Sequence, residues 1–235
     1  MFPTEQLRSD ADALGVSLTG PMLSRFEQYC DLLLDWNQRM NLTAIKEPDA
    51  VAVRHFADSL TLLSCCPVRE NASVIDVGTG AGFPGAALAI ARPDLKLTLL
   101  DSLNKRLIFL NELTARLDIR AETVHARAEE AGRGPLREQF DLATARAVAP
   151  LNLLSEYCLP FVKVGGSFAA MKGPDVEEEL DGAAKALELL GGKVEKICPF
   201  TLSDGSGRTI VLIKKISHTP AKYPRHGAKI TKSPL

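Results

Sequence analysis

The stretch VIDVGTGAGFPGAAL, residues 74–88, places four glycines and a proline directly after a short apolar run. Glycine has no side chain, so closely spaced glycines let another group approach the backbone. A phosphate, a dinucleotide and a sulfonium cofactor are all groups of this kind. Residues 80–85 match the pattern G-x-G-x-x-G, which several classes of nucleotide-binding protein share. The choice among them depends on the rest of the chain.

The sequence after residue 73 alternates between strand-like and helix-like segments. Apolar runs bounded by turn residues predict seven strands: SVIDV, KLTLLD, RAETVHA, FDLATARAV, GSFAAMKG, KVEKICPF and RTIVLIKK. Helix-length segments lie between most of them, at 84–91, 105–117, 151–161 and 176–190. This alternation predicts a doubly wound α/β sheet of parallel strands with right-handed crossovers.

The last two predicted strands differ from the others, because only the loop TLSDGSGR separates them. We therefore expect them to pair antiparallel, as a hairpin at the edge of the sheet. A Rossmann-like sheet of seven strands with this ending resembles the class I methyltransferase sheet, whereas a dinucleotide-binding fold normally ends with parallel strands. We assign this domain to residues 71–216.

Residues 1–70 predict a helical extension in front of that domain. Apolar residues recur there at the spacing that lines one helix face, as at Phe26 and Leu33. Asp10 and Thr19 are of the residue types that cap helix N-termini.

Residues 217–235 predict a basic tail. Six lysines and arginines and no acidic residue lie between positions 214 and 235, although the whole chain has a net charge of −1. Such an uneven distribution favours an acidic partner such as nucleic acid, and a merely solubilising end has the same composition.

The composition, 46% hydrophobic and 24% charged, is that of a globular protein. No apolar run approaches the ~20 residues that cross a bilayer. The N-terminus has neither the basic region nor the apolar core of a secretory signal, so we expect a cytoplasmic protein without membrane contact. The cysteines and histidines lack metal-ligand spacing, so no metal is expected. An odd count of five cysteines argues against a disulfide framework and favours reduced core thiols.

The register of the glycines separates the candidate ligands. Asp76 lies in the strand just before Gly78, which gives the order Asp-Val-Gly-Thr-Gly-Ala-Gly. An acidic residue at this place resembles the methyltransferase motif D/E-x-G-x-G-x-G. Asp101 ends the next predicted strand, 23 residues after Gly78, where a carboxylate accepts hydrogen bonds from ribose hydroxyls. The alternative is that Asp101 only caps the helix that follows.

The third and fourth predicted strands supply further candidate positions. The third is followed by Ala128-Glu129, a small–acidic pair of the kind that methyltransferases place beside the adenine. The fourth delivers Arg146 to the carboxyl end of the sheet, where open α/β sheets bind ligands. It lacks the Asn/Asp-Pro-Pro-Tyr/Phe motif, and no proline precedes Cys158. Methylation of an exocyclic amino group or of a pyrimidine carbon is therefore disfavoured.

Motifs from Trp36 to the C-terminus resemble, in order, those of the ribosomal RNA small-subunit methyltransferase G family, also called glucose-inhibited division protein B. They are WNQRMNLTAI, RHFADSL, DVGTGAGFPG, LLDSLNKRLIFL, RAE, ARAVAPL, GGSFAAMKG and YPRHGAKITKSPL. The resemblance implies S-adenosylmethionine as the cofactor. Together with two residues added from the strand and loop positions, Gly80 and Asp101, the predicted cofactor contacts are Gly78, Gly80, Phe83, Asp101, Ala128, Glu129 and Arg146.

The resemblance also implies a reaction, the transfer of a methyl group to N7 of one guanine in the 530 loop of 16S rRNA. Guanine N7 has a lone pair and no proton, so the transfer needs orientation rather than a general base, and we name no catalytic residue. The implied partner is 16S rRNA or the 30S subunit, and we expect a monomer. The basic residues expected to contact RNA phosphates are Arg39, Lys172, Lys222, Arg225 and Lys229.

Two alternatives stay open at this point. A nicotinamide-dependent dehydrogenase explains the glycines but not Asp76, the terminal hairpin or the basic tail. A non-catalytic nucleotide-binding module that docks on the ribosome explains the tail without a reaction. Cofactor binding separates a dehydrogenase from a methyltransferase, and methyl transfer to RNA separates a methyltransferase from a docking module.

Overall fold

The predicted α/β sheet is confirmed by the structure, a computed structural model that describes residues 1–146 and 149–235. Ala147 and Val148, which fall within the predicted fourth strand and the ARAVAPL motif, lie outside the described residues. The strands are β1 (Ser73–Val77), β2 (Lys96–Asp101), β3 (Ala121–His125), β4 (Phe140–Arg146), β5 (Val162–Lys172), β6 (Gly192–Thr201) and β7 (Gly207–Lys215).

These strands form one sheet in the order β3-β2-β1-β4-β5-β7-β6. The neighbours from β3 to β5 are parallel, whereas β7 runs antiparallel to both β5 and β6. The hairpin of β6 and β7 is therefore at a sheet edge, as the short loop between them predicted. The strand order reverses between β1 and β4, and open α/β sheets bind ligands beyond the carboxyl ends of strands at such a reversal.

Helices cover both faces of the sheet. They are α1 (Thr4–Ala13), α2 (Gly20–Arg39), α3 (Pro48–Val51) continued by a π-helical segment (Ala52–Ala57) into α4 (Asp58–Cys65), α5 (Gly85–Ala91), α6 (Asn104–Arg116), α7 (Ala128–Ala131), α8 (Leu151–Cys158) followed by a 3-10 turn (Leu159–Phe161), α9 (Glu177–Leu190) and α10 (Gly227–Lys232). In the part of the chain that the structure describes, we find no helix with the length and apolarity that a bilayer crossing requires.

The two predicted helix caps have different outcomes. Thr19 caps α2, since its hydroxyl accepts a hydrogen bond from the Met22 N–H at 3.5 Å. The predicted cap at Asp10 is wrong. Asp10 lies inside α1, where its carboxylate accepts hydrogen bonds from Gln6 and Ser203.

Two apolar cores lie on opposite faces of the sheet. In β1, Val74 belongs to the core formed with the N-terminal helices, α5 and α6, while Ile75 and Val77 belong to the core formed with α8 and α9. A strand buried on both faces has a continuously apolar sequence, as β1 does. Phe26 of α2 and Phe56 of the π-helical segment are packed together in the first core, with ring centroids 4.9 Å apart. The N-terminal helices therefore pack on one face of the sheet and share its hydrophobic core.

The expectation that the cysteines are all reduced is wrong for one pair. Cys65, at the end of α4, and Cys198, in β6, form a disulfide. The other three, Cys30, Cys66 and Cys158, are buried free thiols. An odd count only requires that one thiol stays unpaired, and a sequence separation of 133 between the bonded pair leaves no local pattern to read.

Candidate functional site

A cleft of about 1080 Å³ opens at the carboxyl ends of β1, β2, β3 and β4. The fold brings together there the residues that the sequence analysis assigned to a cofactor. All seven line the cleft: Gly78, Gly80, Phe83, Asp101, Ala128, Glu129 and Arg146. Their individual contacts with a cofactor remain predictions.

Asp76, in β1, anchors the glycine loop through hydrogen bonds. Its side chain is fully buried, and its Oδ2 accepts hydrogen bonds from the Thr79 hydroxyl at 2.7 Å and from the Gly85 N–H at 2.8 Å. Burial raises the pKa of this carboxyl to about 6, while the two hydrogen bonds oppose that rise. The acid in the strand therefore fixes both ends of the loop that follows it.

Asp101 contacts both the glycine loop and the segment before α6, but it is not the N-cap residue of α6, which is Leu103. Its Oδ2 accepts from the Gly80 N–H at 2.9 Å, and its Oδ1 accepts from the Leu103 N–H at 2.9 Å, just before α6. Arg106 also approaches Oδ2, at 3.0 Å. The carboxylate thus ties the glycine loop to the start of α6 while lining the cleft. Its role toward a ribose is still a prediction.

Phe83 lies in a stack of aromatic rings that the sequence analysis missed. Tyr29 of α2 and His55 of the π-helical segment stack on it, with ring centroids 5.1 Å and 4.5 Å away. The guanidinium of Arg146 lies over the same ring, 4.9 Å from its centroid. The N-terminal helices therefore pack directly against the glycine loop.

Arg146 joins β4 to the N-terminal helices by charged hydrogen bonds. Its Nη1 donates to Asp58 Oδ2 at 2.9 Å, and its Nη2 donates to His55 Nδ1 at 3.0 Å. Arg208 approaches the other oxygen of Asp58, at 3.4 Å. Burial raises the pKa of Asp58, against the opposing effect of both arginines. Burial and the charge of Arg146 together lower the pKa of His55 to about 3, so this histidine is neutral near pH 7.

His55 and Asp58 could have been chosen as candidate site residues from the sequence, because both lie in the motif RHFADSL. Nothing in that motif shows that its partner is Arg146, about ninety residues later. The contact becomes visible only when β4 lies beside β1 and the N-terminal helices fold over them.

The basic tail, residues 217–235, packs against the sheet domain and forms part of the cleft. His226, Gly227 and Thr231 line the cleft near Glu129. Arg137 donates hydrogen bonds to the carbonyls of Thr219 and Tyr223, and so anchors the chain just before α10.

The five residues expected to contact RNA have different surroundings. Arg39, Lys222 and Lys229 are exposed. Lys172 is mostly buried and binds Glu179 at 2.7 Å, and Arg225 binds the buried Glu156 at 2.7 Å. These two residues have a structural task that the sequence did not reveal.

We predict that Arg225→Ala loosens the tail. The change leaves the carboxylate of Glu156, 1% exposed, without its guanidinium partner. Breaking a buried ion pair from one side costs about 3–5 kcal/mol. We expect a lower melting temperature and faster cleavage within residues 217–235 by proteinase K, a protease that does not depend on Lys or Arg. Lys222→Ala is the matched control, since it removes an exposed tail charge and should leave both measurements unchanged. Equal behaviour of the two variants would show that the Glu156 pair does not hold the tail.

Comparison with known proteins points to one family. A family model described as rRNA small subunit methyltransferase G matches residues 22–206. The chain is 51% identical to the ribosomal RNA small subunit methyltransferase G of Acetivibrio thermocellus, over 96% of this chain and 93% of that protein. It is 47% identical to the protein of the same name from Alkaliphilus oremlandii, over 97% of each.

Solved structures share the fold at low sequence identity. TrmN from Thermus thermophilus aligns with a TM-score of 0.54 and 17% identity, over 70% of this chain and 53% of that one. M. jannaschii TYW2, solved in complex with AdoMet, aligns with a TM-score of 0.53 and 14% identity, over 64% of this chain and 72% of that one. The predicted class I methyltransferase sheet is thereby confirmed.

Proposed function

Since the chain belongs to the rRNA small subunit methyltransferase G family, we propose that it transfers a methyl group from S-adenosylmethionine to N7 of a guanine in the 530 loop of 16S rRNA. The observation that carries the proposal is the cleft itself. We propose that the part of the cleft at the ends of β1, β2 and β3 holds a nucleoside-like cofactor, and that the part at the end of β4 holds the substrate base.

The residues present fit S-adenosylmethionine. A Cβ built on Gly80 meets no atom nearer than the Gly78 carbonyl oxygen, at 4.0 Å, so the loop leaves room for a ligand against its backbone. Two carboxylates, Asp101 and Glu129, lie beyond the loop and can accept hydrogen bonds from ribose hydroxyls. The residues proposed to hold the cofactor are Gly78, Gly80, Phe83, Asp101, Ala128, Glu129 and Arg146.

When bound, S-adenosylmethionine supplies a methyl group that is activated by its positively charged sulfur. The task of the protein is then to present the lone pair of guanine N7 in line with that methyl group. N7 carries no proton, so no side chain has to remove one. Holding two reactants in a reactive geometry is by itself worth several orders of magnitude in rate.

The contacts of Arg146 hold its guanidinium rigidly at the end of β4. The guanidinium is held by Asp58, His55 and the ring of Phe83, and its side chain is only 16% exposed. It therefore holds the glycine loop and the end of β4 in a fixed arrangement, and it takes no part in bond making or breaking. We propose that it lies beside the methionine part of the cofactor.

RNA binding is proposed for the exposed basic residues Arg39, Lys222 and Lys229. Phosphate contacts of this kind give an affinity that falls steeply with salt concentration. We further propose that the protein acts as a monomer in the cytoplasm, on 16S rRNA within the 30S subunit.

The test is transfer of labelled methyl from S-adenosylmethionine to small ribosomal subunits from a strain that lacks its own family member. We expect label on the small-subunit RNA and none on large subunits. Binding of the cofactor without any transfer would favour the docking module. Binding of a nicotinamide cofactor in place of S-adenosylmethionine would overturn the proposal.

A further inference from the structure

The segment Asn41–Ile45 is a motif of the sequence that the proposed function has not yet used. Its Leu42 and Thr43 line the cleft, and the Thr43 hydroxyl contacts His55, which in turn contacts Arg146 at the end of β4. The proposed cofactor contacts extend from the loop after β1 toward β2 and β3. Thr43 therefore faces the remaining part of the cleft, where the substrate base would lie.

The backbone around Thr43 is fixed by one side chain of α2. The amide oxygen of Asn37 accepts hydrogen bonds from the N–H groups of Leu42, at 2.8 Å, and Thr43, at 3.0 Å. Its amide nitrogen donates to the Thr43 carbonyl at 2.9 Å. Three hydrogen bonds from one residue hold Thr43 in place at the cleft wall.

The proton positions on His55 follow from its neighbours. Arg146 can only donate, so the Nδ1 of His55, 3.0 Å from Nη2, must accept. His55 is neutral and carries a single ring proton, which is therefore on Nε2. Nε2 lies 2.8 Å from the Thr43 hydroxyl oxygen and donates to it.

The Thr43 hydroxyl is thereby left with a donor role. Its oxygen has two acceptor positions, and they are taken by the Nε2–H of His55 and by the Ile45 N–H at 3.1 Å. Its own hydrogen has no acceptor among the hydrogen bonds of the described residues. The hydrogen bonds from Arg146 to His55 and from His55 to Thr43 thus leave a hydroxyl that can donate into the cleft and cannot accept.

We propose that Thr43 selects guanine by donating this hydrogen bond to O6 of the target base. The Hoogsteen edge of guanine carries two acceptors, N7 and O6, whereas adenine carries an amino donor in place of O6. When N7 faces the methyl group, the atom at position 6 is its neighbour on the same edge. A hydroxyl restricted to donation favours guanine and opposes adenine. The inference rests on the proposed function, because it names the group that reads its substrate.

The test combines a change in the protein with a change in the base. Small subunits are reconstituted with RNA that carries guanine, inosine or 2-aminopurine at the target position. Inosine keeps O6, and 2-aminopurine lacks it while keeping N7. We expect Thr43→Val to lower kcat/KM about tenfold on guanine and on inosine, the worth of one hydrogen bond. On 2-aminopurine, Thr43→Val and the wild type should react at the same rate, because the interaction is already absent.

The outcomes separate the inference from the function on which it rests. Equal losses on all three bases would mean that Thr43 has only a structural role, and would overturn the inference alone. No transfer by the wild type to guanine would overturn the proposed function and the inference with it. If Thr43→Val proves unstable, the pair Thr43→Ser and Thr43→Ala, which differ by the hydroxyl, serves for the same comparison. The Ser variant should keep the preference for guanine over 2-aminopurine, and the Ala variant should lose it.

Discussion

Arg146→Ala should reduce kcat/KM for methyl transfer by about 100-fold or more, since small displacements of reacting groups have effects of that size. The change removes the donor to Asp58 and His55 and the cation that lies over Phe83. His55 then loses the neighbour that determines which of its ring nitrogens carries the proton. The measurement is the initial rate of methyl transfer to small subunits at saturating and at limiting cofactor.

Arg208→Ala is the matched control for that variant. Arg208 approaches the same carboxylate, Asp58, at 3.4 Å, but it is not among the residues that line the cleft. We expect it to lower the melting temperature modestly and to leave kcat/KM within about threefold of the wild type, the loss of a weak ion pair. Equal losses of activity in both variants would show that the ion pairs of Asp58 matter for folding and that Arg146 has no particular role in the site.

Gly85→Ala should destabilise the protein by about 1–3 kcal/mol, the usual cost of overpacking. A Cβ at this position would lie 2.8 Å from Leu99 Cδ2 and 2.9 Å from Asp76 Oδ2. Leu99 and Asp76 are both fully buried, so neither has space to withdraw. The hydrogen bond from the Gly85 N–H to Asp76 would be strained, and with it the anchor of the glycine loop. We expect a lower midpoint of thermal unfolding and weaker binding of S-adenosylmethionine.

The same substitution elsewhere in the chain should have the opposite sign. Gly182 lies in the middle of α9, is exposed, and has no atom within 4 Å of a Cβ built on it. Alanine in an exposed helix is more stable than glycine by about 1 kcal/mol. Gly182→Ala should therefore raise the unfolding midpoint without changing cofactor binding. If Gly85→Ala were equally harmless, the close packing around the glycine loop would not be needed for its shape.

The order of strands and helices was predictable because it depends on local patterns. Each apolar run bounded by turn residues became a strand, with ends that moved by a few residues, as for β5, which begins at Val162 rather than Gly166. The short loop after residue 200 predicted the antiparallel hairpin, since it leaves no room for a crossover. These features need no knowledge of what lies across the sheet.

The residues of the site could be predicted only where each of them lies at or just after the end of a strand in the sequence. The glycine loop, Asp101, Ala128-Glu129 and Arg146 each follow a strand, and parallel strands bring their carboxyl ends to one edge. His55 comes from the π-helical segment and Thr43 from the segment between α2 and α3, and no sequence pattern places this N-terminal region over the glycine loop. The Cys65–Cys198 disulfide was missed for the same reason, since only the packing of α4 beside β7 and β6 brings the two thiols together.

Two glycines of the loop are small for different physical reasons. Gly85 is small because the protein's own buried residues surround it. Gly80, with its positive φ of 61° and open surroundings, is small because the loop has to turn there and present its backbone to the cleft. A sequence pattern alone does not separate these two reasons.

The measurement that tests the central claim most directly is the identity of the methylated nucleoside. One portion of the small-subunit RNA that has reacted with the wild-type protein is digested to nucleosides to identify the labelled nucleoside. A second, intact portion is cleaved at 7-methylguanosine to map its position in the strand. We predict 7-methylguanosine at a single guanine of the 530 loop, and its loss in Arg146→Ala. Label on a different base, on a different atom of guanine, or at many positions would contradict the proposed reaction.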